Sequence, residues 1–152
     1  MFTPVEDLLL QSGPVWHGIA LGWKKSIDKD ITKLPIISSR FCGVKYVNSI
    51  TDVSVIAYTF YLPTSGQDDD FLEILALLNF DIAQNNTDNY IVIIGTNSNV
   101  SSKSTKRRFE AMQKFLGLFS LQTILTSDEP TFHHNNQTSE SQIDHIYFFK
   151  PE

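Results

Sequence analysis

The run Ile91-Val92-Ile93-Ile94, set in NYIVIIGTNSN, constrains the fold more than any other stretch of this chain. Consecutive β-branched residues are stiff at the first side-chain torsion and favour extended backbone. The run is far too short to span a membrane. It reads as a buried strand. Gly95 ends it, and Thr96, Asn97, Ser98 and Asn99 follow, so the strand opens onto a polar site.

A buried strand needs partners, and the neighbouring segments supply them. FCGVKYV (41–47) and VSVIAYTFYL (53–62) alternate or run apolar with β-branched and aromatic residues, and only a short polar link separates them. They read as an antiparallel hairpin. GIALGW (18–23) reads as a short strand, and LQTILTS, PTFHH and SQIDHIYFFK supply more. Two helices alternate with these strands. One starts at Asp68, Asp69 and Asp70, where a helix dipole favours acids, and carries Phe71, Leu75, Leu78 and Ile82 on one face. That reading is preferred to a calcium or magnesium site in the acid triplet. The other spans 104–119, with Ser104 as N-cap and Phe109, Met112, Leu116 and Phe119 as its apolar stripe. The pattern predicts a mixed sheet system with helices outside.

The chain has 152 residues, enough for one domain with a proper core, and its 11 phenylalanines supply large pieces for it. Residues 1–17 show little periodicity and a Gly-Pro break at 13 and 14, so they read as a poorly structured lead-in to a domain over 18–152. The net charge of −5 argues against non-specific coating of nucleic acid or anionic lipid. Cys42 is the one cysteine, which excludes an internal disulfide, and its apolar setting reads as a buried, inert thiol. The acidic N-terminal stretch does not read as a secretory signal, so an intracellular protein of nucleus or cytoplasm is expected, neither secreted nor in a membrane. The sequons at Asn85, Asn99 and Asn136 then read as chance in an Asn-rich chain.

Three strings occur in order: TFYLPTSG, IVIIGTNSN with SKSTKRR after it, and PTFHHNNQTSESQIDHI. Together they resemble the endonuclease/exonuclease/phosphatase superfamily, and within it the endonuclease domain of LINE-type, non-LTR retrotransposon polyproteins. The likeness covers about residue 15 to the end. It implies a four-layered α/β sandwich of two mixed β-sheets face to face with outer helices. It also implies Mg²⁺-assisted hydrolysis of DNA phosphodiesters, with a carboxylate and a histidine activating water. On this resemblance Tyr61 matches the tyrosine at the scissile phosphate. Asn97 stands where the family carries the aspartate that orients water, and Asn99 matches the phosphate-holding asparagine. Asp144 matches the carboxylate that fixes the catalytic histidine's tautomer.

The departures are as informative. The family's Gln-Glu strand, whose Glu binds the metal, has no counterpart before HGIALGW, and Glu6 in VEDLLLQ lacks its pattern. The family's Ser-Asp-His strand has no counterpart after FFKPE. His145 follows Asp144 directly, and adjacent residues on a strand face opposite ways, so it does not replace the missing histidine. An amide cannot accept a proton from water, and general acid–base help is worth about 100- to 10,000-fold. The expectation is a degenerate, catalytically inert domain, the alternative a non-catalytic interaction module on the same scaffold. Absent sheet partners also predict marginal stability. Lys103, Lys106, Arg107 and Arg108 stand beside the Asn97–Asn99 loop. They read equally as DNA phosphate contacts or as a solvated helix face. His133, His134 and His145 lack zinc-site spacing, and HHNNQTSES reads as a polar hairpin loop.

Overall fold

Period-two strands and helices of period near 3.6 resolve into one mixed sheet with helices on one face. The computed structural model describes residues 2–4, 19–35, 38–64, 66–85, 90–100, 104–124, 131–133, 140–141 and 143–150. The strands are β1 (Phe2–Pro4), β2 (Leu21–Trp23), β3 (Ile31–Lys33), β4 (Phe41–Asn48), β5 (Val53–Tyr61), β6 (Tyr90–Asn97), β7 (Gln122–Ile124), β8 (Phe132–His133), β9 (Glu140–Ser141) and β10 (Asp144–Phe149). Helix α1 spans Asp68–Asn85 and α2 spans Lys106–Leu118. The six-stranded sheet runs β3-β4-β5-β6-β10-β7. Only the β5–β6 pairing in it is parallel, and α1 makes that crossover. Two-stranded sheets β1–β2 and β8–β9 account for the other strands among the described residues.

The 41–62 hairpin forms as its pattern predicts, with Phe41 opposite Phe60 and Asn48 opposite Val53. Asn48 Oδ1 caps its turn by accepting from the backbone N–H groups of Ile50 and Thr51. The expected stripe of α1 is buried in full at Phe71, Leu75, Leu78 and Ile82. It packs on Ile56, Tyr58 and Phe60 of β5, Val92 and Ile94 of β6 and Tyr147 of β10, with Met112 and Phe115 of α2 beside it. Phe60 meets Phe115 edge to face at 6.2 Å. On the same face, the Tyr58 hydroxyl donates to the buried Asp81 carboxylate at 2.9 Å. Gly43 is required there, because a Cβ would lie 2.6 Å from the Tyr58 ring.

The opposite face differs. Over β4 it is covered, with Cys42 and Val44 buried. From β5 to β7 it carries Val53, Ile93, Ile146 and Ile124, which share this face by register and are 39–41% exposed. Burial raises the pKa of the Cys42 thiol, which keeps it protonated and inert. The described residues therefore contain one large, open sheet and one helix layer, an incomplete α/β sandwich as expected.

Several expectations change in detail. Phe2–Pro4, inside the expected lead-in, pairs in parallel with Leu21–Trp23, while positions 5–18 lie outside the described residues. A short 3-10 helix, Lys25–Asp30, and strand β3 have no counterpart in the sequence reading. Helix α2 begins at Lys106, with Thr105 rather than Ser104 at the cap position and no capping side-chain bond. Its buried stripe is Arg108, Met112 and Phe115, and Phe109 is exposed. Of the expected stripe, Met112 is buried and Leu116 and Phe119 pack partly buried on the core, while Phe109 yields its place to Arg108 and Phe115 joins.

Candidate functional site

The parallel pair β5–β6 ends with Tyr61 opposite Asn97, and the antiparallel pair β6–β10 begins with Asn97 opposite Asp144. Residues in register lie on the same face of a sheet. The fold thus sets Tyr61, Asn97 and Asp144 side by side across three adjacent strands at one end of the sheet. They belong to the face away from the helices, because their neighbours Phe60 and Thr96 are buried against the core side. The next residue along, His145, pairs with Thr96 on the helix side and stacks on Tyr147 at 5.6 Å, so it stands off the row as expected.

The loop after β6 is stitched to both neighbours. Asn97 accepts the Leu62 N–H through its backbone carbonyl at 3.0 Å. The buried Ser98 donates to the Ile143 carbonyl through its N–H at 2.8 Å and its hydroxyl at 3.1 Å. Asn99 takes a left-handed conformation at φ 50°, which asparagine tolerates better than most residues, and its Nδ2 donates to the Leu62 carbonyl at 2.6 Å. The Asn99 amide is therefore a clasp between two strand ends. At the other border, Thr131 Oγ1 accepts the backbone N–H groups of Ile143 and Asp144, both at 3.1 Å. Asp144 itself is exposed, beside a cavity of about 310 Å³ that Thr123, Thr131 and Ile146 help line.

The basic run separates into different environments. Arg108 is 1% exposed. Its guanidinium lies 4.3 Å from the Phe71 ring centroid, donates to the Pro63 carbonyl and faces Asp68 Oδ1 from Nε at 3.8 Å. Burial lowers its pKa, and the Asp68 charge opposes that shift. Its place is inside the molecule, tying the turn after β5 to both helices, and not on a DNA-facing surface. Arg107 pairs with Asp69 at 3.0 Å, and Lys106 with Glu110 at 3.6 Å, both exposed. Lys103 lies outside the described residues, as does His134. The acids of α1 thus offset the unfavourable placement of cations at the start of α2.

One residue of this edge went unread in the sequence. Arg40, a step before Phe41, stands opposite Tyr61 and accepts its N–H through the backbone carbonyl at 2.9 Å. Its guanidinium carbon lies 5.5 Å from the centre of the Tyr61 ring. The hairpin register contained the signal, because carrying the pairing of 48 with 53 outward places 40 opposite 61.

The donor set of the row does not fit a resident Mg²⁺. The row holds a single carboxylate, Asp144. The Asn97 Oδ1 is buried without a hydrogen-bond partner among the described residues, but it is a neutral oxygen, and the Asn99 amide is already engaged. Among the described residues no three His, Cys, Asp or Glu side chains converge to hold a metal. A hard cation bound by protein groups wants more anionic oxygen than this.

No family model and no curated protein matches the sequence. Solved structures do share the fold. The endonuclease domain of TRAS1, a telomere-specific non-LTR retrotransposon, is 16% identical with a TM-score of 0.57, over 78% of this chain and 54% of that one. Beta toxin from Staphylococcus aureus is 15% identical with a TM-score of 0.57, over 73% and 43%. D. rerio TDP2, solved with a single-strand DNA product, is 12% identical with a TM-score of 0.53, over 80% and 54%. The chain has the fold of endonuclease/exonuclease/phosphatase proteins, a group of nucleases and phosphatases. It spans about half the length of the structures it matches. Among the described residues no helix is long and apolar enough to cross a membrane.

Proposed function

We propose that this chain is a degenerate endonuclease/exonuclease/phosphatase domain of retrotransposon origin that retains a nucleic-acid-binding edge and does not hydrolyse phosphodiesters. One observation carries the reading: Tyr61, Asn97 and Asp144 stand in register across three strands, and the resemblance puts Asn97 where the family has an aspartate. A neutral amide orients a water or a phosphate oxygen but takes no proton. Beside the remaining carboxylate, Asp144, the next residue His145 faces the other side of the sheet. The DNA-bound state of TDP2 and the retrotransposon source of TRAS1 support DNA as the partner class. An intracellular location, nucleus or cytoplasm, goes with this reading.

The test is a supercoiled-plasmid nicking assay. Wild type and Asn97→Asp are both expected to match the EDTA control in MgCl₂, because one restored carboxylate leaves the donor set short. Mg²⁺-dependent nicking by the wild type would refute degeneracy. Nicking by Asn97→Asp alone would reduce the defect to a single residue.

The exposed apolar face favours a second reading, a non-catalytic interaction module. Val53, Ile93, Ile124 and Ile146 offer apolar area that a partner would cover. This reading predicts a partner whose binding is lost on Ile93→Lys and kept on Tyr61→Ala.

A further inference from the structure

We propose that Arg40 is a phosphate-binding residue of this edge, and that Arg40 and Tyr61 take a nucleic-acid phosphodiester without a divalent cation. The inference rests on the reading of the row as a nucleic-acid-binding edge and adds a residue and a mode of charge neutralisation to it. Arg40 extends the row to a fourth strand, so the order across the edge is Arg40, Tyr61, Asn97, Asp144. Its guanidinium carbon lies 5.5 Å from the centre of the Tyr61 ring, within cation–π range, and that contact uses the ring face without consuming the guanidinium N–H groups. Those groups match the two oxygens of a phosphate.

The electrostatics of the neighbourhood point the same way. Lys106 and Arg107 are engaged by Glu110 and Asp69, and Arg108 is buried. Among the described residues no carboxylate pairs with Arg40. Asp144 stands three strand spacings away, roughly 14 Å, beyond the reach of an ion pair and largely screened in salt. The row therefore has a cationic end and an anionic end. A phosphate is attracted to the first, where the cation needed to neutralise it is already built into the chain.

The experiment is fluorescence anisotropy of the full chain with a fluorescein-labelled short single-stranded DNA, in EDTA and again in MgCl₂, across a salt series. Wild type is expected to bind equally in both. Arg40→Gln should weaken binding about tenfold and flatten the log–log salt slope by about one. Arg40→Lys keeps the charge but loses the fork, so it should recover only part of that loss. Circular dichroism on each variant reports whether it folds, and Arg40→Lys carries the test if Arg40→Gln does not. Binding that needs Mg²⁺, or that survives Arg40→Gln while Arg107→Gln abolishes it, overturns the role of Arg40 and leaves the edge as a DNA site. No binding by the wild type in either buffer overturns the underlying reading along with it.

Discussion

The two faces of the central sheet divide the labour of this molecule. The helix face holds Phe60, Ile94, Tyr147 and the stripes of both helices, nearly all solvent-free. The other face holds the Tyr61–Asn97–Asp144 row at one end and half-exposed isoleucines across its middle. Stability should therefore come mostly from one face, while the proposed binding edge lies on the other. The half-exposed residues of that face leave part of the sheet's apolar area in water, where it does not contribute to burial.

Truncations measure this asymmetry most directly. Phe115→Ala on the helix side should cost about 3–5 kcal/mol in urea unfolding, enough to unfold much of a marginal domain. Arg108→Ala should follow at about 2–4 kcal/mol, since it leaves the Pro63 carbonyl without its buried donor and the Asp68 carboxylate without its ion-pair partner. A cost under ~1 kcal/mol would mean that the guanidinium lies in water after all.

The alkaline limit should also belong to the covered face. Burial pushes Tyr147 up to about 12, and burial with the Asp81 charge raises Tyr58 as well. A raised tyrosine pKa stabilises the fold fully below the unfolded value near 10, and that contribution is lost as pH rises through the folded value. Unfolding monitored by circular dichroism should begin above about pH 10 and track tyrosinate absorbance. Tyr147→Phe should delay it, and an unchanged alkaline midpoint would show that ionisation of Tyr147 is not coupled to unfolding.

Asn99→Ala should cost about 1–2 kcal/mol, from the lost bond to Leu62 and the left-handed backbone it leaves behind. Ile93→Ala, on the bare face, should be the mildest at under ~1 kcal/mol. If it proves as costly as Phe115→Ala, or if Tm rises with protein concentration, the bare face is covered in solution and the contrast between the faces disappears.

Much of the fold was legible because burial writes itself into periodicity. The α1 stripe, the 41–62 hairpin and the β6 run all follow from patterns of apolar residues. The α2 stripe was misread where a charged residue occupies a core position. Arg108 sits four before Met112 and seven before Phe115, which is core spacing, but hydrophobicity alone assigns a guanidinium to water. Short elements such as β3 and the 3-10 helix carry too few residues for any period to emerge. Motif order singled out Tyr61, Asn97 and Asp144, which the register then set in one row, while Arg40 lay outside every motif.

The sequence by itself determined the alternation of strands and helices, the extended character of β6 and the absence of an acid at Asn97, because each depends on local residue chemistry. Tertiary structure alone decided that Tyr61, Asn97 and Asp144 share one row, that Arg40 joins it, and that Arg108 leaves the surface. Those facts depend on strand register and on which face meets a helix. Register and facing are set by long-range pairing, and residues 40 and 144 become neighbours of one site only when the sheet has formed.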